Sequence, residues 1–136
     1  MSNTRFSLSI HILTLLASAK PGEWLSSDFI AGSANTNPAL IRKELISLRK
    51  MGLVESKEGK NGGSRLAKSG DKISIADVYK SVNRENIIGK ISTPNPDCPV
   101  GRQINKHLTD LFADVEQHML SRLGSTTLQQ FCDRFK

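Results

Sequence analysis

Two apolar stripes run side by side from Phe6 to Ala19, one through Phe6, Ile10, Leu13 and Ala17, the other through Leu8, Ile12, Leu15 and Leu16. Helical spacing with so wide an apolar face predicts a first helix nearly surrounded by other elements. Lys20-Pro21-Gly22 stops it, and Glu23-Trp24-Leu25 reads as a short extended link with one large apolar anchor. A second helix is expected to take Ser26 or Ser27 as N-cap, with Asp28 in its first turn and Phe29, Ile30 and Ala34 inward. Gly32-Ser33-Ala34-Asn35 weakens that helix and supplies a turn. Asn37 caps a third helix, and Pro38 takes its first position, where a missing N–H costs nothing. Ile41, Leu45 and Leu48 recur at i, i+4 and i+7 and pack inward, leaving Ala39, Arg42, Lys43, Ile46 and Lys50 on the other side.

Gly52 ends the third helix. Leu53–Glu58 and Ser64–Lys68 read as two strands around a glycine-rich tip, with Asn61-Gly62 as the hairpin turn because both residues tolerate positive φ. A phosphate-binding loop fails on spacing, since no Gly-Lys-Ser/Thr follows. Ser74 and Asp77 form a near capping box for a short helix carrying Val78, Tyr79 and Val82, with Ile73 stapling onto Val78. Periodicity fails from Arg84 to Asp97, and Thr93-Pro94-Asn95-Pro96-Asp97 is a rigid loop. The longest helix is expected from Cys98-Pro99 to about Leu123, with Val100, Ile104, Leu108, Leu111, Phe112, Val115, Met119, Leu120 and Leu123 on one face. A rod of that length outruns a core of modest size. Its stripe is buried most economically against the same helix of a second subunit, the alternative being a hairpin with a final helix over Thr126 to Phe135. The fold class is therefore mainly α with a small β-wing, a winged helix-turn-helix plus a long C-terminal dimerisation helix. Three segments are expected: a DNA-binding domain over 1–83, a linker over 84–97, and a dimerisation helix with a short last helix over 98–136.

Charge changes the picture. Residues 35–68 hold eight Lys/Arg (42, 43, 49, 50, 57, 60, 65, 68) against three Glu (44, 55, 58), a balance of +5 in a chain whose total is +6. Residues 69–136 are nearly even, with nine basic and eight acidic side chains. A concentrated basic stretch on a helix-turn-helix and ribbon points to double-stranded DNA. Arg5, at the entrance to the first helix, is either a phosphate contact or a solvated charge. No apolar run reaches the roughly 18–20 residues of a membrane span, and a cytoplasmic, membrane-free chain is expected. Two cysteines 34 residues apart make neither a disulfide framework nor a metal knuckle. His11, His107 and His118 lack a paired carboxylate motif, so no catalytic set is visible and no enzyme is expected. A protein-interaction module using the fold without DNA is the competing function, controlled by a partner enzyme or small ligand.

The order of elements resembles the Rrf-two family of bacterial winged-helix transcription regulators over nearly the full length. That family includes the iron–sulfur cluster regulator, the nitric-oxide-sensitive repressor and the cysteine-metabolism repressor. The resemblance is carried by Ser9-Ile10-His11-Ile12-Leu13, by Asn37-Pro38 through Leu48-Arg49-Lys50-Met51-Gly52-Leu53-Val54, and by Gly59-Lys60-Asn61-Gly62-Gly63-Ser64-Arg65-Leu66. Ile73-Ser74-Ile75-Ala76-Asp77-Val78 and Cys98-Pro99-Val100-Gly101 complete it. It implies a homodimer, here through residues 98–123, on a palindromic operator, with the third helix in the major groove and the wing in the minor groove. Two departures matter. Cluster-sensing members carry three cysteines around the start of the long helix, whereas Arg84 to Lys106 has Cys98 alone and the family's histidine position falls on Gly101. No cofactor is expected. Glu58 also stands where minor-groove readers place an arginine, so Lys57, Lys60 and Arg65 would supply that contact.

The resulting expectation is a dimeric, sequence-specific transcriptional regulator acting as a repressor. Asn37 and the amides at the start of the third helix would meet phosphate or an adenine edge. Arg42 and Lys43 would read guanine, Leu40 would meet a thymine methyl, Ala39 belongs to the same DNA-binding set, and Lys60 and Asn61 would touch backbone or minor groove. Control is expected through a thiol, a small effector or a partner protein. Cys98, at the start of the long helix, is the candidate redox sensor, against the alternative of a small buried apolar residue. Cys132 reads as packing.

Overall fold

In the computed structural model, which describes residues 4–82 and 88–136, the helices and the hairpin follow the predicted order. Residues 83–87, which hold the start of the expected linker, lie outside the described residues. Helix α1 (Arg5–Ser18) occupies the centre and touches α2, α3, α4, α6 and the hairpin, with Ile12 and Leu13 fully buried. Of its wide apolar stripe, Ile10, Ile12, Leu13 and Leu16 are buried, while Phe6, Leu8, Leu15 and Ala17 stay partly exposed.

Helix α2 (Ser27–Ala34) starts where Ser26 Oγ accepts the Phe29 N–H at 3.1 Å and stops at Asn35, which takes the left-handed conformation (φ 52°) that closes helices without glycine. Its buried residues are Ile30 and Ala31, while Phe29 is 58% exposed and Ala34 half-buried. The expected inward set was thus rotated by about one residue. Two helical turns give periodicity too few repeats to fix a face. Helix α3 (Pro38–Lys50) begins with Asn37 Oδ1 accepting the Ala39 N–H at 2.7 Å, and it buries Ile41, Leu45 and Leu48 together with Glu44.

Strands β1 (Val54–Lys57) and β2 (Gly63–Leu66) pair antiparallel from Val54↔Leu66 to Lys57↔Gly63. Leu25, in the link before α2, joins β2 from the other side through a two-way bridge to Ser64 at 2.9 and 2.8 Å. The tip differs from expectation. Lys60 and Asn61 are the central turn residues, closed by Gly62 N–H donating to Gly59 O at 3.0 Å. Asn61 is not in a positive-φ conformation; that role falls to Gly59 (φ 102°) and Gly63 (φ 153°). A tip of five residues between the strands relieves Asn61-Gly62 of the mirror-image geometry that a two-residue loop demands.

Helix α4 (Ile75–Val82) has the full reciprocal box, with Asp77 N–H donating to Ser74 Oγ at 3.1 Å and Ser74 N–H to Asp77 Oδ2 at 3.0 Å. Helix α5 (Gly101–Gly124) has 24 residues, or roughly 36 Å at 1.5 Å per residue. It begins later than expected: Cys98-Pro99-Val100 form a turn, and the Cys98 carbonyl accepts the Arg102 N–H at 2.9 Å. The last helix is shorter than expected, because α6 (Leu128–Cys132), capped by a Thr127/Gln130 box, tightens into a 3-10 turn at Asp133–Phe135. It does not run back along α5. Ile75 N–H donates to Thr126 O and Leu128 N–H to Ile73 O, which direct α6 onto α1. The hairpin alternative is therefore not formed, and α5 is held on α4 with Phe112 as its single buried residue.

Candidate nucleic-acid interface

The capping pair Asn37-Pro38 fixes where α3 starts, and the burial of Ile41, Leu45 and Leu48 fixes which face looks out. Ala39, Leu40, Arg42 and Lys43 all emerge from the first two turns of that outer face, where a recognition helix meets base edges. Asn37 is exposed beside them, and its Oδ1 is engaged as the cap of α3.

Glu44, counted above only in the charge balance of residues 35–68, does not lie on the surface of α3. It is 1% exposed, and its Oε1 accepts from Arg5 Nε at 2.9 Å. Arg5 also donates to Ser47 Oγ at 3.3 Å and to the Val82 carbonyl at 3.4 Å. Arg5 is therefore not a freely solvated charge but a clamp joining α1 to α3 and to the end of α4. The two residues lie 39 positions apart, and no local pattern pairs them. With Glu44 turned inward, the outward balance of residues 35–68 becomes eight Lys/Arg against two Glu.

On the wing, Lys60 and Asn61 stand exposed at the tip, with Lys57 exposed at the end of β1. Arg65 sits lower. Its guanidinium lies 4.1 Å from the Trp24 ring centroid and its Nε donates to Glu55 at 2.6 Å, so its charge is shared with the base of the ribbon. Lys57 Nζ lies 6.0 Å from the same ring. Trp24, expected as an apolar anchor, is thus the platform on which two wing cations rest. Between α3 and the wing lies a cleft of about 370 Å³ whose walls include Arg42, Arg49, Lys57, Ser26 and Ser27. Sequence reading missed Arg49 and the two serines as members of this surface. The signal for Arg49 was present in the 42, 46, 49 spacing, which continues the outer face for one more turn.

Cys98 is exposed within the subunit, in the turn before α5, and is not packed in its core. Cys132 is 7% exposed in the core, and burial pushes its thiol pKa up, against a smaller opposing effect from its hydrogen bond with Thr14.

The profile of the Rrf2 family, described as iron-dependent transcriptional regulators, matches residues 2–134. The chain is 37% identical over 130 residues to YwnA of Bacillus subtilis, provisionally named an HTH-type transcriptional regulator, and the match covers 95% of each. It is 32% identical over 123 residues to the HTH-type transcriptional regulator NsrR of Halalkalibacterium halodurans, covering 85% and 84%. A crystal structure described as a candidate DNA-binding protein superposes with TM-score 0.76 at 34% identity over 93% of this chain and 97% of the other. The global cysteine regulator CymR of B. subtilis shares the fold, with TM-score 0.73 at 21% identity over 98% and 97% of the two chains.

The donors at the start of α5 do not fit an iron–sulfur centre. Cys98 is the sole thiol there, the other being buried on α6. At Gly101 the Asn95 carbonyl approaches so closely that any Cβ would overlap it, so no ligating side chain fits at that position. The loop is held down further by Asn105 Nδ2 donating to Ser92 O at 2.7 Å. With a mainly helical fold, a small antiparallel wing, an outward basic face on α3 and a full-length family match, this chain belongs to the Rrf2 family of winged-helix, DNA-binding transcriptional regulators and is not an enzyme.

Proposed function

We propose that the protein is a homodimeric repressor that reads a palindromic operator through α3, with residues 1–83 as the DNA-binding domain, 84–97 as linker and 98–136 carrying the dimer helix. The observation that carries this reading is the outward presentation of Ala39, Leu40, Arg42 and Lys43 on the first turns of α3, next to the wing-tip Lys60 and Asn61. Repression follows where such an operator overlaps a promoter. The uncovered apolar stripe of α5, with Leu111 55% and Val115 39% exposed, supports a second copy as its cover. Selection of bound sequences from random duplexes tests the whole reading. Enrichment of an inverted repeat with half-site centres about 34 Å apart is expected, and enriched sequences without two-fold symmetry would overturn it.

Two substitutions separate base reading from backbone contact. Arg42→Ala is expected to weaken operator binding by about 1–3 kcal/mol and relax preference at one base position. Lys60→Gln is expected to weaken all sequences alike and reduce the slope of log affinity against log salt by about 0.9. Equal loss of preference in both would refute this division. Exposed Cys98 is the thiol proposed for oxidant control. Hypochlorite should release wild-type protein from its operator and leave Cys98→Ser bound; equal release of both would exclude the role.

A further inference from the structure

We propose that Asn61, at the tip of the wing, is a site of spontaneous deamidation, and that the carboxylate it gains loosens the grip of the wing on DNA. The effect on DNA rests on the reading above; the chemistry at Asn61 does not. Asn61-Gly62 is the only Asn-Gly pair in the chain. Asn37 and Asn95 precede prolines, whose nitrogen carries no proton to lose. After Asn61 the next nitrogen is a glycine amide with no side chain over it, and Lys60 and Asn61 are the exposed central residues of the turn. The Asn61 carboxamide has no hydrogen-bond partner among the described residues, so it is free to swing onto that nitrogen.

The fold keeps the pair in place. A Cβ on residue 62 would overlap the Lys57 carbonyl oxygen, so the hairpin admits only glycine there although its φ is not positive. The Gly62 N–H donates to Gly59 O at 3.0 Å, in a tip that projects beyond the last strand pair, Lys57↔Gly63. Opening that bond in water frees the nitrogen and leaves the strand register as it was. Lys57 and Lys60 stand exposed on the same tip, and their charge favours the amide anion that must form.

In the step itself the Gly62 nitrogen gives up its proton and attacks Asn61 Cγ. The N–Cγ bond forms, the Cγ–NH2 bond breaks, and ammonia leaves with that proton. Water then opens the cyclic imide at either carbonyl, giving aspartate or its β-linked isomer. One water is consumed and one ammonia released, with no change of oxidation state. Residues 57–62 hold two Lys and one Glu, a balance of +1, and a carboxylate at 61 brings it to zero. The β-linked product also adds a methylene to the backbone of the turn. The tip then no longer attracts phosphate, and the hold of each molecule on DNA falls with its age.

Peptide mass mapping of the folded chain over days in mildly alkaline buffer tests the chemistry, and titration with a mixed-sequence duplex at low and high salt tests the effect. Residue 61 is expected to gain the mass of OH replacing NH2, ahead of every other asparagine. Affinity should fall about fivefold at low salt and much less at high salt, the response of one added charge and not of a misfolded wing. Asn61→Asp should start at the weakened affinity. Asn61→Gln, compared with itself before and after incubation, should hold its value. An intact Asn61 in the folded chain, while the urea-unfolded chain deamidates there, overturns the proposal. So does a fully modified protein with undiminished affinity. Fresh protein that binds no duplex, with residue 61 converting all the same, overturns the DNA-binding reading and the effect with it, and leaves the chemistry standing.

Discussion

Arg5→Met is expected to lower unfolding stability by about 3 kcal/mol, read as a fall in the urea midpoint at constant slope. The substitution keeps the length of the side chain and removes its charge, leaving the Glu44 carboxylate at 1% exposure without its partner at 2.9 Å. Breaking a buried pair from one side typically costs 3–5 kcal/mol, and the low end applies because Arg5 itself is 33% exposed. Arg5→Met/Glu44→Leu removes both charges and should recover most of the loss. The single variant should also weaken operator binding, because the same guanidinium holds Ser47 on α3 and the Val82 carbonyl at the end of α4. A single variant as stable as wild type would show that the clamp is not structural.

Gly63→Ala should cost about 2–3 kcal/mol and abolish tight operator binding while leaving the helical spectrum intact. Two independent constraints meet at this residue. Its φ of 153° is one that side chains rarely adopt, and a Cβ there would overlap the Leu25 carbonyl oxygen. That carbonyl accepts the Ser64 N–H at 2.8 Å, so any accommodation must part the ribbon from the link before α2. The stability loss is measured by thermal melting and the binding loss by titration with operator DNA. A variant that binds as wild type would mean the ribbon is dispensable.

Local chemistry was legible in the sequence, and distant geometry was not. The Ser74/Asp77 box, the Asn37-Pro38 start and the Ser26 cap involve partners within three residues, and all three take the expected form. Phe29 was misplaced because a helix of two turns defines its face through packing and not through periodicity. The turn at Lys60-Asn61 depended on how far apart the strands end, which Asn61-Gly62 alone cannot encode. The Arg5–Glu44 clamp and the Trp24–Arg65 stack join residues 39 and 41 positions apart, pairings that only the folded chain brings together. The candidate DNA-facing residues on α3 were readable because one periodicity buries Ile41, Leu45 and Leu48 and leaves Ala39, Leu40, Arg42 and Lys43 exposed, whereas the burial of Glu44 was not readable that way.

The bridge between Leu25 and Ser64 has a thermodynamic consequence for the encounter with DNA. A two-stranded ribbon alone is marginal in water and samples many orientations. Here the third strand-like residue is followed directly by Ser26, the cap of α2, so ribbon and helix-turn-helix share one continuous hydrogen-bonded frame. The orientational freedom that a loose wing would lose on contact with the duplex has already been surrendered during folding. Ordering entropy of roughly 0.5–1.5 kcal/mol per immobilised side chain is then confined to flexible tips such as Lys60. Binding of this regulator should accordingly show little heat-capacity change from protein folding, with its salt-dependent, counterion-releasing part dominating the affinity.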